Sequence, residues 1–363
     1  MNQASISSAS VRLLSIDVLR GLTVAAMLLV NNPGDWGHVY TWLSHSHWHG
    51  CSPADFIFPF FLVIVGVSLH LAMEPQLARG KDKAAMLKSV VCRGVRIFAL
   101  GVFLHLIAYA LIEGRSFRLM GVLQRIAICY AVVGVLMMYV RSAKWQWIIF
   151  ASILLFYWLL LSVGGSYEPH FNLVDKVDSV VLASLAYAFD PITQMAQEPE
   201  GILSTLPCIA TVLLGVRIGA YLRAGQMYLI LIIGVVCMAL AWLWAFEMPL
   251  NKSLWTSSFV LWTGGLAALC IVLTHRLIDV RGFPAIGRSF GVNAIAAYAG
   301  SWIVACILIS NKWDVAIYQH VFKQNLLGVV NEECISFLFA LTFTVLFGVV
   351  MLVLRRRGWR FSI

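Results

Sequence analysis

An all-α polytopic membrane protein, a single bundle of about ten transmembrane helices with both termini cytoplasmic, is the fold class that this sequence predicts. Three observations predict it. Hydrophobic residues make up 61% of the 363 positions, and charged residues only 12%, with a mean hydropathy of +0.86. A soluble domain carries about 25% charged residues. Apolar stretches recur at the length needed to cross a hydrocarbon core about 30 Å thick, roughly 20 residues at about 1.5 Å each. Lysine and arginine crowd alternate connections between those stretches. A cytosolic enzyme, a disordered tail and a nucleic-acid binder are excluded, despite the net charge of +9.

The stretches fall at about 13–31, 54–73, 92–112, 120–140, 146–163, 202–221, 226–246, 255–274, 289–310 and 334–355. The first ends where Pro33 and Gly34 break the helix, and it lacks the small-residue cleavage site of a removable signal peptide. The second opens on Ser52 and Pro53, suited to a cap and a first turn. The others are told by length and apolarity, and none shows the ten-residue alternation of a membrane barrel. One long connection, about 164–201, is expected to hold short structure outside the bilayer. Nothing divides residues 1–363 into two domains.

Orientation follows from charge. With cytoplasmic termini, nineteen of the 26 basic residues lie at the inner ends, among them Arg12, Arg20, Lys81, Arg93, Arg276, Arg288 and Arg355–Arg357. Thirteen of the 17 acidic residues fall on the outer side. An anionic ligand is drawn to such an inner face and a cationic one to the outer face. The eight cysteines contain no Cys-x-x-Cys pair, and Cys51 and Cys334 alone approach the outer side. No structural disulfide is expected. Matching halves, common in transporters, are not apparent.

The segment richest in chemistry joins the first two spans: NNPGDWGHVYTWLSHSHWHGCSPAD, residues 31–55. It holds His38, His45, His47 and His49 among Trp36, Trp42 and Trp48. Tryptophans at this depth serve as interfacial anchors. His45, His47 and His49 alternate, so a strand would align all three and a helix only the outer two. The trio admits a metal set, a surface cluster, or one catalytic histidine with bystanders. Asp55 falls in the first turn of the second helix, favourable for a carboxylate.

Asp17 and Arg20 share one face of the first helix, as a structural salt bridge or as the frame of an anionic ligand's way in. Arg118, Gln124 and Arg125 lie near the outer start of the fourth span, where an arginine snorkels or turns inward to a carbonyl or phosphate. Arg217 is expected to snorkel to the inner surface. No phosphate loop, dinucleotide fingerprint or nucleophile elbow is present.

The segments SIDVLRGLTVAAMLLVNNPG and SHSHWHGCSPADFIFPFFLVIVGVS, with RLMGVLQRIAICY at 118–130 and GILSTLPCIATVLLGVRIG at 201–219, resemble the heparan-α-glucosaminide N-acetyltransferase family, which includes bacterial NagX-like transmembrane acyltransferases. PLNKSLWTSSFVLWTGG at 249–265 and FPAIGRSFGVNAIAAYAGSWI at 283–303 extend the resemblance in family order. The family's His-Ala-x-Trp-Asn-Gly pattern reads here His45-Ser46-His47-Trp48-His49-Gly50, so the resemblance assigns the active-site role to His45 and leaves His49 in place of asparagine. It also matches Asn31 and Asp55. The sequence opens on the helix of Asp17 and Arg20, as in the bacterial form with ten spans in the inner membrane.

The resemblance implies transfer of acetyl from cytoplasmic acetyl-CoA, a co-substrate, to the amino group of glucosamine or a terminal glucosaminide on the far side. His45 would act as base or acyl carrier, Asp55 would orient it, and Asn31 or Arg125 would stabilise the oxyanion. Arg118, Gln124, Arg125, Trp48, His49, Asp17 and Arg20 complete the candidate binding set. No metal is expected. The partners implied are the two substrates and the lipid bilayer; a homodimer is left open. Two alternatives stand beside this reading: an amino-sugar permease, and an acyltransferase acting on a cell-wall glycan.

Overall fold

The computed structural model describes residues 13–361, so Arg12 lies outside the described residues. Among these, nine helices are long and apolar enough to cross a membrane, and a bent pair makes up to ten. The chain runs α1 Leu14–Asn31, α2 Ile57–Ala78, α3 Lys83–Leu111, α4 Val122–Tyr139 and α5 Ala143–Val163. The 164–201 connection holds the short helix α6 Leu173–Val181 and an antiparallel hairpin, β1 Ala188–Asp190 with β2 Met195–Gln197. Then follow α7 Thr205–Arg223, α8 Met227–Trp244, α9 Ser257–Thr274, α10 Arg288–Val292 and α11 Ala294–Ser310. Two short helices, α12 Trp313–Ile317 and α13 Gln324–Leu326, precede α14 Glu332–Arg356.

Each apolar stretch read from the sequence is helical; α2 and α3 outrun theirs, and α9 is continued by a π-helical segment to Val280. Helix α2 continues to Ala78 and α3 starts at Lys83. Hydropathy marks where lipid contact ends, whereas a helix ends where its backbone groups find other partners. At the start of α3 that partner is Asp82, whose carboxylate accepts from Ala84 N at 3.2 Å and Ala85 N at 3.0 Å. The ninth stretch is broken at Asn293 into α10 and α11. Beyond it the chain turns by 83° into the arm 313–326, which the sequence reading did not foresee. Lys312 takes a left-handed φ of 58° at this bend, and Tyr318 anchors the arm against Phe339.

Helix α7 forms the middle of the bundle, packed against α2, α4, α5 and α9. The helices around it leave apolar side chains such as Leu159, Val235 and Val349 exposed, as lipid-facing helices do. Arg217 departs from the sequence expectation. It is buried, donates to Gln146 Oε1 at 3.1 Å and lies 5.1 Å from the centre of the Tyr221 ring. Position in α7, surrounded by protein on all sides, leaves it no lipid surface to snorkel along.

Helices α2 and α7 meet backbone to backbone through Gly66 and Gly215; a Cβ on Gly66 would collide with the Val212 carbonyl, and one on Gly215 with that of Val63. Gly66→Leu should therefore cost at least about 1–3 kcal/mol, the usual scale of overpacking. A clear fall in the melting temperature of the detergent-purified protein checks this; an unchanged melt would contradict the contact.

Candidate active site

The chain from Asn32 to Ser52 is neither strand nor long helix; it loops over the end of the bundle, with one short turn at Thr41–Leu43. Its return into the membrane is set by Ser52 and Asp55, which form a reciprocal capping box at the start of the turn Pro53–Phe56. Asp55 is 1% exposed. Its Oδ2 accepts from Ser46 N at 3.1 Å, Ser52 N at 2.9 Å and Ser52 Oγ at 3.1 Å. Oδ1 is left for His45 Nδ1, at 2.8 Å. A carboxylate only accepts, so Nδ1 carries the proton and Nε2 of the neutral ring holds the lone pair.

His45 lines a cavity of about 590 Å³ that also takes in Asn31, Arg118, Glu200 and Lys252. The three alternating histidines, His45, His47 and His49, do not converge. His45 turns to Asp55, His47 is exposed, and His49 Nε2 approaches Glu168 Oε1 at 3.4 Å. Trp48 donates to the Tyr167 carbonyl at 2.8 Å. His49 and Trp48 thus fasten the loop to the 164–201 connection and do not line the cavity.

The same connection roofs the cavity through Tyr187, Pro199 and Glu200. Arg118 binds Glu198 and Glu200 together, with its guanidinium 4.9 Å from the centre of the Tyr187 ring. Burial opposes the charge on Glu200, yet Arg118, Arg125 and Lys252 hold its carboxyl below the usual range. Burial likewise lowers the Lys252 ammonium, against the pull of Asp55 and Glu200. Burial, helped by Asp55, pushes the Cys51 thiol up to about 12, which makes it a poor nucleophile beside His45.

Arg125 and Gln124 are not brought to this cavity. Arg125 is fully buried and donates to the Gly201 carbonyl at 3.1 Å and to Ser204 Oγ. Gln124 donates to the Leu119 carbonyl at 2.9 Å. Both join α4 to its surroundings. Arg118 lies before α4 begins, which sends it a different way from Arg125.

At the opposite end of the bundle, Arg20 pairs with Asp17 at 3.2 Å and donates to the Gly291 carbonyl at 3.2 Å and to Ser68 Oγ at 2.5 Å. Arg20, Lys81 and Arg93 line a second cavity of about 340 Å³, while Asp17 stays buried behind Arg20. Phe361 borders it, held where Asn293 Oδ1 accepts from Phe361 N at 3.0 Å. Phe61, Leu123, Ile126, Ala294 and Ile295 line both cavities. The two hollows therefore stand back to back on one apolar wall. Sequence reasoning missed Lys252 and Glu200; the signals for Lys252 were its place in the resembling segment 249–265 and a basic charge in a short connection on the acidic side.

A family model described as heparan-alpha-glucosaminide N-acetyltransferase, catalytic, matches residues 12–243. A mouse (Mus musculus) protein named heparan-alpha-glucosaminide N-acetyltransferase is 29% identical over 357 residues, covering 81% of this chain and 54% of its own length. The Homo sapiens protein of the same name is 27% identical over 352 residues, covering 80% of this chain and 52% of its own. The chain spans about half the length of the curated relatives it matches.

Proposed function

The chain belongs to the heparan-alpha-glucosaminide N-acetyltransferase family, and on that premise we propose that it carries acetyl across a membrane, from acetyl-CoA to an amino sugar. The observation that carries the proposal is the pair of cavities sharing one wall, with Arg20, Lys81 and Arg93 on one side and His45 on the other. The basic cavity faces the cytoplasm and takes the phosphates of acetyl-CoA. The thioester arm passes into the apolar middle at Phe61, Leu123 and Ile126, where little water reaches it. Glucosamine, or a terminal glucosaminide, docks at the His45 end, beside the carboxylate of Glu200. Residues 1–363 act as one domain in the inner membrane of a bacterium.

In this reaction His45 Nε2 removes a proton from the acceptor's ammonium group, and the freed nitrogen attacks the thioester carbonyl carbon. Asp55 holds Nδ1 and stabilises the imidazolium that forms. Asn31 offers its amide N–H to the developing oxyanion. Collapse of the tetrahedral species breaks the carbon–sulfur bond, the surplus proton on the nitrogen passes to the departing CoA thiolate, and the His45 imidazolium gives its proton to solvent. The attacking amine needs no enzyme-bound acyl intermediate once it is deprotonated and positioned.

Purified protein given radiolabelled acetyl-CoA and glucosamine should yield N-acetylglucosamine. Unmodified sugar accumulating in proteoliposomes, with no acetyl transfer, would instead mark a permease; acetyl appearing only on a glycan hydroxyl would mark the other acceptor class. Double-reciprocal plots should intersect, and no acetyl label should stay on the protein before acceptor is added. Parallel plots, with acid-labile label on His45, would replace direct transfer by an acetyl-histidine route.

A further inference from the structure

The turn between α8 and α9 is stitched to the His45 loop. Gly50 N donates to the Leu250 carbonyl at 2.7 Å, and His49 pairs with Asn251 in an isolated β-bridge. Asn251 is fully buried, and its Oδ1 accepts from Leu254 N at 2.8 Å while its own N–H donates to Thr256 Oγ1 at 3.1 Å. Lys252 is thereby delivered to one place. Its Nζ lies 3.1 Å from His45 Nδ1, 3.2 Å from His45 Nε2 and 3.6 Å from Asp55 Oδ1.

A point so nearly equidistant from both ring nitrogens cannot lie in the ring plane without colliding with ring carbons. The ammonium therefore sits over the imidazole face. A cation there is attracted to a neutral ring and repelled by a charged one. Nδ1 already gives its proton to Asp55, and the Nε2 lone pair stays directed along the ring plane.

We propose that Lys252 is a positioning residue for His45: its ammonium, over the ring and beside Asp55, offsets the carboxylate and keeps Nε2 unprotonated until the acceptor arrives. This rests on the role given to His45 above. The other charged groups around the ring do not supply the same effect. Asp55 favours the imidazolium. Glu200 is paired with Arg118, and Arg118 is shared with Glu198. His49 turns to Glu168, and Cys51 is held as a thiol. Among the described residues, Lys252 is the cation that touches the ring.

The test reads His45 directly and does not depend on turnover. Diethyl pyrocarbonate acylates unprotonated imidazole, so the extent of modification of the His45 peptide against pH, followed by mass spectrometry on the full detergent-purified chain, gives the ring's proton affinity. Lys252→Met should raise that affinity by about tenfold, one pH unit in the midpoint, whereas Lys252→Arg should stay near the parent protein. Lys252→Gln replaces the methionine variant if that one does not elute as a folded monodisperse species. The acid limb of the kcat/KM profile should move the same way. An unchanged His45 midpoint in a folded, uncharged variant overturns the proposal. Absence of acetyl transfer by the parent protein would overturn the functional reading instead, and the modification midpoint would still decide whether Lys252 controls the ring.

Discussion

His45→Ala should lower kcat by at least about 10²-fold, the lower scale of general acid–base catalysis, while the protein still folds and still binds acetyl-CoA. The expectation follows from geometry: Nδ1 is fixed by Asp55 at 2.8 Å, and the ring lines the cavity opposite the apolar wall. Side-chain loss there removes the proposed base without disturbing a core, because the His45 side chain is 43% exposed. His47→Ala should be much milder, since His47 is exposed and is not among the residues lining the cavity. Steady-state rates on purified variants check both. Near-normal turnover by the alanine variant at position 45 would remove His45 from the chemistry.

Asp55→Asn should cost about 10²–10⁴ in kcat, by analogy with the carboxylate of a Ser-His-Asp triad, whose amide variant loses about 10⁴. The carboxylate fixes which ring nitrogen carries the proton; an amide can donate to Nδ1 and so move the proton to Nε2, where a base is needed. It also meets three donors from Ser46 and Ser52 through one oxygen, so an NH₂ group placed there would leave donors facing donors. Thermal melts separate the two effects: lost capping costs on the order of 1 kcal/mol, too little to unfold the protein, while the rate falls far more. A loss confined to stability, with kcat unchanged in the folded fraction, would make Asp55 a cap and nothing more.

Most of the fold was legible because one-dimensional apolarity reports the bilayer directly. Ten stretches sufficed to find every long helix. The missing parts are those where the chain does something other than cross. The bend at Lys312 depends on one left-handed residue, and the arm 313–326 gains its place through Tyr318 and Phe339, which are distant in sequence. The site divides in the same way. His45 and Asp55 sit ten residues apart and could be read from one motif and one cap. Lys252 reaches His45 from 207 residues away, a distance no local pattern spans. Arg125 and Arg118 look equivalent in the sequence, yet the helix begins between them, at Val122. Arg118 joins the cavity, and Arg125 becomes a buried tether to Gly201.

On the proposed reading, one protein joins a donor on one side of the membrane to an acceptor on the other. The basic cavity at Arg20, Lys81 and Arg93 and the His45 cavity meet only at apolar residues. On that reading acetyl-CoA enters from the basic side, and its association should weaken as salt screens the attraction. The most direct measurement uses sealed vesicles of known orientation with glucosamine trapped inside. Acetyl-CoA added outside inside-out vesicles should acetylate the trapped sugar, and acetyl-CoA added outside right-side-out vesicles should be inert until the membrane is opened. Equal acetylation by external acetyl-CoA in both sealed orientations would contradict the account.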